Sequence, residues 1–189
     1  MSIDNSDLDI DKLRSLLVSN DPQNVELAFV IGENFPAFQQ ILQELTVFWE
    51  TVDLEGRQEI TPKEIMRMTR WHMLNLRSLQ LKELPKEIQL FKNLSKLNLT
   101  NNSLSQLPVE LSKLSKLQYL NLSQNAFEHI PAILNQLTSI QEINFSNNQL
   151  SQLPSFLDHF KSLQRLYFAH NQLNCNYLNV FKFFIFSIL

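Results

Sequence analysis

The residue types that do chemistry are thinly spread in this chain. Its four histidines, His72, His129, His159 and His170, show no H-E-x-x-H spacing of the kind that sets two imidazoles on one helix face around zinc. Cys175 is the only cysteine, and although His170 precedes it closely, no third group is evident to orient a base. A cysteine nucleophile needs that base within hydrogen-bond reach, so Cys–His chemistry is disfavoured. Glu44, Glu50 and Glu64 are candidate carboxylates for acid–base work, but they read more simply as solvated helix faces. Gly32 and Gly56 are the only glycines, which rules out a glycine-rich phosphate cradle. The expectation is a protein without catalytic residues, metal or cofactor.

Charge and cysteine content narrow the setting. The net charge of −3 divides unevenly: residues 1–70 hold 13 Asp/Glu against 6 Lys/Arg, whereas residues 71–189 hold 6 against 10. An excess of four cations over that second stretch is far below a nucleic-acid footprint, so nucleic acid is not an expected partner. One cysteine leaves no internal disulfide, and the acidic start (Met1 to Asp11) has no apolar h-region. A reducing, cytoplasmic setting is therefore expected.

What must position any functional group is a repeat. With the sequence slid by 23 residues, Asn102, Asn125, Asn148 and Asn171 coincide, as do Pro85, Pro108, Pro131 and Pro154. A fixed period of this length marks a stacked architecture. Aligned on it, the second and third apolar slots are Leu74/Leu97/Leu120/Ile143/Leu166 and Leu76/Leu99/Leu122/Phe145/Phe168. The first slot is Trp71/Leu94/Leu117/Ile140/Leu163, and later slots hold Leu104, Leu107, Leu111 and Leu114 with their counterparts. The L-x-L step has the two-residue period of a strand, so each unit offers a short strand that can pair in parallel with the next. Residues such as Asn98 and Thr100 then face the open side. Proline after the sixth slot fixes φ where the chain turns back along the convex side.

The asparagine slot predicts a structural ladder. Where the chain leaves the strand, inward-turned backbone groups lack ladder partners, and each left unpaired would cost about 1–3 kcal/mol. An amide donates and accepts at once, so Asn102, Asn125, Asn148 and Asn171 can serve those groups from unit to unit. The first unit departs from the pattern, with Leu79 in the Asn slot, where it is expected to lie against a helical cap.

The pattern L-x-x-L-x-L-x-x-N-x-L-x-x-L-P-x-x-L-x-x-L-x-x over residues 71–173 resembles the leucine-rich repeat family. It is closest to the 23-residue form of intracellular Ras-group and bacterial members. The resemblance implies an α/β solenoid, with short parallel strands on the concave side and irregular or helical convex segments. It also implies a non-catalytic protein-binding module. Two domains are expected: an all-helical N-terminal cap over 1–70 and the repeats over 71–189. In the cap, Phe38, Ile41, Leu42, Leu45, Phe48, Trp49 and Val52 form the clearest helical stripe, and Thr61 to Glu64 has capping-box spacing. Such helices could cover the otherwise bare flank of the first repeat.

The concave columns are Met73/Lys96/Tyr119/Glu142/Arg165, Asn75/Asn98/Asn121/Asn144/Tyr167, Arg77/Thr100/Ser123/Ser146/Ala169 and Ser78/Asn101/Gln124/Asn147/His170. Small polar residues dominate, and the exceptions gather late: Tyr119, Glu142, Arg165, Tyr167 and His170. Exposed aromatics and arginine are the usual anchors of protein contacts, so these five are the expected docking patch for a protein or peptide. Strands about 4.8 Å apart span only about 20 Å across five units, too little for a standard interface of about 800 Å² per partner.

After Leu173 the pattern breaks at Asn174–Tyr177, yet Val180, Phe183, Phe186 and Leu189 continue the apolar slots. Three readings stay open: a closing cap, an edge that self-associates through 177–189, or a fragment of a larger repeat protein of the signalling or effector kind. A membrane span is not expected, because the apolar run 183–189 falls well short of the ~20 residues a helix needs to cross a bilayer.

Overall fold

The computed structural model describes residues 71–153 and 160–173, together with Gln23, Gln39, Gln40, Gln43, Glu44, Thr46, Val47 and Phe48. Five strands of three residues recur along it: β1 (Met73–Asn75), β2 (Lys96–Asn98), β3 (Tyr119–Asn121), β4 (Glu142–Asn144) and β5 (Arg165–Tyr167). They form one parallel sheet in chain order, and each pairing sets a residue against its counterpart 23 positions on. In every strand the middle residue is buried and its neighbours are at least partly exposed, as strand alternation requires. The ladder runs past each strand, since Leu76, Leu99 and Leu122 donate their N–H groups to Asn98, Asn121 and Asn144 carbonyls at 2.8 Å.

Each unit leaves its strand through a residue in the left-handed region: Ser78, Asn101, Gln124, Asn147 and His170, with φ between 56° and 61°. Glycine would be the obvious choice there, and these units contain none. Asparagine and histidine are among the residues that tolerate this region best, which explains three of the five.

The return path is built from 3-10 turns at Lys86–Leu90, Val109–Lys113 and Ala132–Gln136. Pro85, Pro108 and Pro131 open them at φ of −59°, −67° and −61°, and each proline carbonyl accepts from the N–H three residues on at 3.1 Å. The tight winding has a cause in the sequence. The convex apolar slots, such as Ile88, Phe91 and Leu94, stand three apart, matching three residues per turn better than 3.6.

The core is a single stack of these leucines and their replacements. Phe127 and Phe145 widen it with an edge-to-face contact at 5.5 Å. Trp71 departs from its expected slot: it is 37% exposed, whereas Leu94, Leu117, Ile140 and Leu163 are buried. An indole is larger than a slot that elsewhere encloses leucine or isoleucine. Leu79, in place of asparagine, is half-buried against the core, and its N–H donates to Asn102 Oδ1 at 3.1 Å.

Of the expected N-terminal cap, Gln39, Gln40, Gln43, Glu44, Thr46, Val47 and Phe48 are helical, and Phe48 is fully buried with its ring 5.1 Å from that of Phe91. Apart from Gln23, the remainder of the cap lies outside the described residues, as do Pro154, His159, Cys175 and the 177–189 tail. Among the described residues, no helix is long and apolar enough to cross a membrane.

Candidate partner-binding face

The concave face inherits its geometry from the strand register. Lys96, Tyr119, Glu142 and Arg165 are successive register partners on β2 to β5, so they stand side by side in one line across the sheet. Lys96 Nζ lies 5.0 Å from the Tyr119 ring centroid, a cation–π contact worth about 0.5–1 kcal/mol at an exposed site. At the other end, Arg165 Nε meets Glu142 Oε2 at 2.8 Å. That pair is 45% and 28% exposed, so its net contribution is at most about 1 kcal/mol. Met73, at the head of the line, is 61% exposed.

Tyr167 is half-buried on β5, one column across from Arg165. His170 is exposed and occupies the left-handed turn beyond that strand. The structure thus brings Tyr119, Glu142 and Arg165 into one continuous line and sets Tyr167 and His170 beside its C-terminal end. Lys96 and Met73 extend the line toward the N-terminal end and belong with it. Their signal was their place in the same column as Tyr119, two residues before an Asn of the next column.

The second column is less open than its sequence suggests. Asn98 Oδ1 accepts the Thr100 N–H at 3.0 Å and the Thr100 hydroxyl at 2.7 Å. Asn121 does the same for Ser123, at 3.0 and 2.7 Å. Asn144 accepts from the Ser146 N–H at 2.8 Å, and Asn75 from the Arg77 N–H at 3.3 Å. Thr100 and Ser123, expected on the open face, are only 8% exposed, with their hydroxyl oxygens 3.3 Å apart. The N-x-T and N-x-S spacing carried this signal, since an Asn side chain readily bonds the backbone two residues on.

The four asparagines at the bend are committed to the backbone. Asn125 Nδ2 donates to Leu99 and Leu122 carbonyls at 2.9 and 3.1 Å, and its Oδ1 accepts the Leu104 N–H at 3.0 Å. Asn102, Asn148 and Asn171 repeat this arrangement one unit earlier, one later and two later. Each of the carbonyls of Leu99, Leu122 and Phe145 therefore receives two amides, one from its own unit and one from the next. Among the described residues, no group of three His, Cys, Asp or Glu side chains is placed to hold a metal ion.

The sequence model of the leucine-rich repeat region family matches residues 12–181. No curated protein matches the chain. Among solved structures, a leucine-rich repeat protein of Leptospira interrogans is similar at 28% identity and a TM-score of 0.56 over 69% of this chain and 40% of that one. The leucine-rich repeat domain of APL1B is similar at 21% identity and a TM-score of 0.55, over 70% of this chain and 43% of that one, a likeness of fold. The chain spans about two-fifths of the length of each of these two structures.

Proposed function

The chain belongs to the leucine-rich repeat family, and from that premise we propose that it is a non-catalytic adaptor or scaffold whose concave strand face docks a protein or peptide. Its anchors are Tyr119, Glu142, Arg165, Tyr167 and His170, extended by Lys96 and Met73. The observation that carries this reading is the unbroken line from Lys96 to Arg165, in which a cation–π contact and one charged pair are presented by paired strands. A tyrosine gives large contact area while ordering only two side-chain torsions, which keeps the entropic cost of docking low. The polar groups at the bend, by contrast, are consumed in holding the backbone and are not available for chemistry. A single cysteine and the likeness to the intracellular repeat type support a cytoplasmic site of action.

The test is co-purification with the whole chain as bait, beside Tyr119→Ala and Arg165→Ala. A specific partner recovered with the parent chain is expected to fall by about tenfold or more with either variant, the effect of losing one anchor worth about 1.4 kcal/mol. Capture that is indifferent to both substitutions refutes docking on this face.

A further inference from the structure

The asparagine column on the concave face has a polarity of its own. Backbone N–H groups can only donate, so the contacts from Thr100, Ser123, Ser146 and Arg77 fix which atom of each amide is the oxygen. In Asn75, Asn98, Asn121 and Asn144 the acceptor is thereby used inside the protein. Their Nδ2 groups, each with two N–H donors, meet no acceptor among the described residues. The hydroxyls of Thr100 and Ser123 are likewise spent on Asn98 and Asn121. What is left for a ligand is a row of donors repeating at the strand spacing of about 4.8 Å.

The charges beside this row have the same bias at its N-terminal end. Arg77 and Lys96 are exposed, and neither is paired with a carboxylate among the described residues. The one carboxylate in the first column, Glu142, is held by Arg165. Beside Lys96 on β1 stands Met73, 61% exposed, a soft apolar contact. Donors and cations without a competing acceptor select a ligand rich in acceptors and carrying negative charge.

We propose that the β1–β3 half of the concave face selects an acidic, extended peptide. Its carboxylates meet Arg77 and Lys96, its main-chain carbonyls meet the Nδ2 groups of Asn98 and Asn121, and an aliphatic side chain covers Met73. The inference rests on the docking reading above and specifies the chemistry of the partner. A nucleic acid would ask for more: its phosphates need a stripe of cations, and this half of the face supplies two.

Fluorescence anisotropy on the whole chain tests it. The probe is a short fluorescein-labelled peptide alternating Glu and Ala around a central Leu, beside copies with every Glu replaced by Gln or by Lys, and a single-stranded oligonucleotide of similar length. The acidic peptide is expected to bind about tenfold tighter than either copy, and to weaken as salt rises. Asn121→Asp keeps an acceptor for the Ser123 N–H while replacing the outward donor by an anion, so thermal stability is held and acidic-peptide affinity falls about tenfold. Lys96→Gln lowers the affinity and flattens its salt dependence. Equal binding of the Gln copy, unchanged affinity in Asn121→Asp and Lys96→Gln, or displacement of the peptide by the oligonucleotide overturns the proposal. Partner capture that still falls in Tyr119→Ala or Arg165→Ala while no acidic preference is seen sinks this inference and leaves the docking reading standing; capture indifferent to both substitutions sinks both.

Discussion

Removing one amide from the bend tests how the repeats are held together, and Asn148→Ala is the sharpest place to do it. Asn148 is 8% exposed, and its Oδ1 is the acceptor for the N–H of the fully buried Phe127, at 3.0 Å. Alanine leaves that donor stranded, at a cost of about 1–3 kcal/mol. The carbonyls that Asn148 also serves fare better, and Ser146 O, its longest contact at 3.4 Å, keeps the Gln124 N–H at 2.9 Å. Leu122 O keeps the Asn125 amide at 3.1 Å, and Phe145 O keeps that of Asn171 at 2.9 Å. Each is weakened rather than orphaned, so the single substitution should cost about 2–4 kcal/mol in all. Asn121→Ala is the control: it loses a half-buried turn contact and should cost about 0.5–1.5 kcal/mol.

Sharing of carbonyls makes a stronger demand on pairs. Asn125 and Asn148 both donate to Leu122 O, so losing both strands a carbonyl that either alone would satisfy. The Asn125→Ala/Asn148→Ala pair should therefore exceed the sum of its single effects by about 1–2 kcal/mol. Asn102 and Asn148 share no carbonyl, and their pair should add to within about 0.5 kcal/mol. Urea unfolding gives these values, with an excluded osmolyte added to keep the weaker variants folded at the start. Additive behaviour in both pairs would refute the shared-carbonyl account, and a single-site loss no larger than that of Asn121→Ala would refute the ladder itself.

Phe48→Ala opens a void against Phe91 and should lower stability by about 3–5 kcal/mol, read by the same unfolding experiment; a loss below about 1 kcal/mol would mean that this ring does not belong to the core of the repeats. Arg165→Ala should change stability by less than about 1 kcal/mol, because the pair with Glu142 is half-exposed, so a weaker partner signal in that variant reports docking and not unfolding. His170→Val places a β-branched residue at φ 56° and should cost about 1–2 kcal/mol, while His170→Gly should not; thermal melts of the two variants settle the comparison.

Much of the fold was legible because one interval carries it. The slots that pair as Leu74, Leu97, Leu120, Ile143 and Leu166 are those the period aligns, and the strands form around them. The parallel sheet and the proline-led convex turns follow from the same alignment. Less visible was the backbone state at the bend. Ser78, Asn101, Gln124, Asn147 and His170 read as a mixed polar column, and no glycine marks it as left-handed. The exposure of Trp71 also escaped the pattern, since periodicity reports a slot and says nothing of its volume.

The two asparagine columns show why residue type alone could not locate the face. Both are amides in phase with the repeat, four residues from each other, and both bond backbone N–H groups through Oδ1. They differ in the other half of the amide. At the bend, Nδ2 finds two carbonyls of successive units, so the group is closed and Asn125 or Asn148 has nothing left to offer. On the strand, only the oxygen is engaged among the described residues, and the nitrogen of Asn98 or Asn121 meets no acceptor there. A side chain whose every donor and acceptor is satisfied internally contributes to stability, and one satisfied by half imposes a polarity on whatever lies against it. The repeat thus uses one residue type to build the wall and, four positions earlier, to turn a row of amide donors toward its concave side.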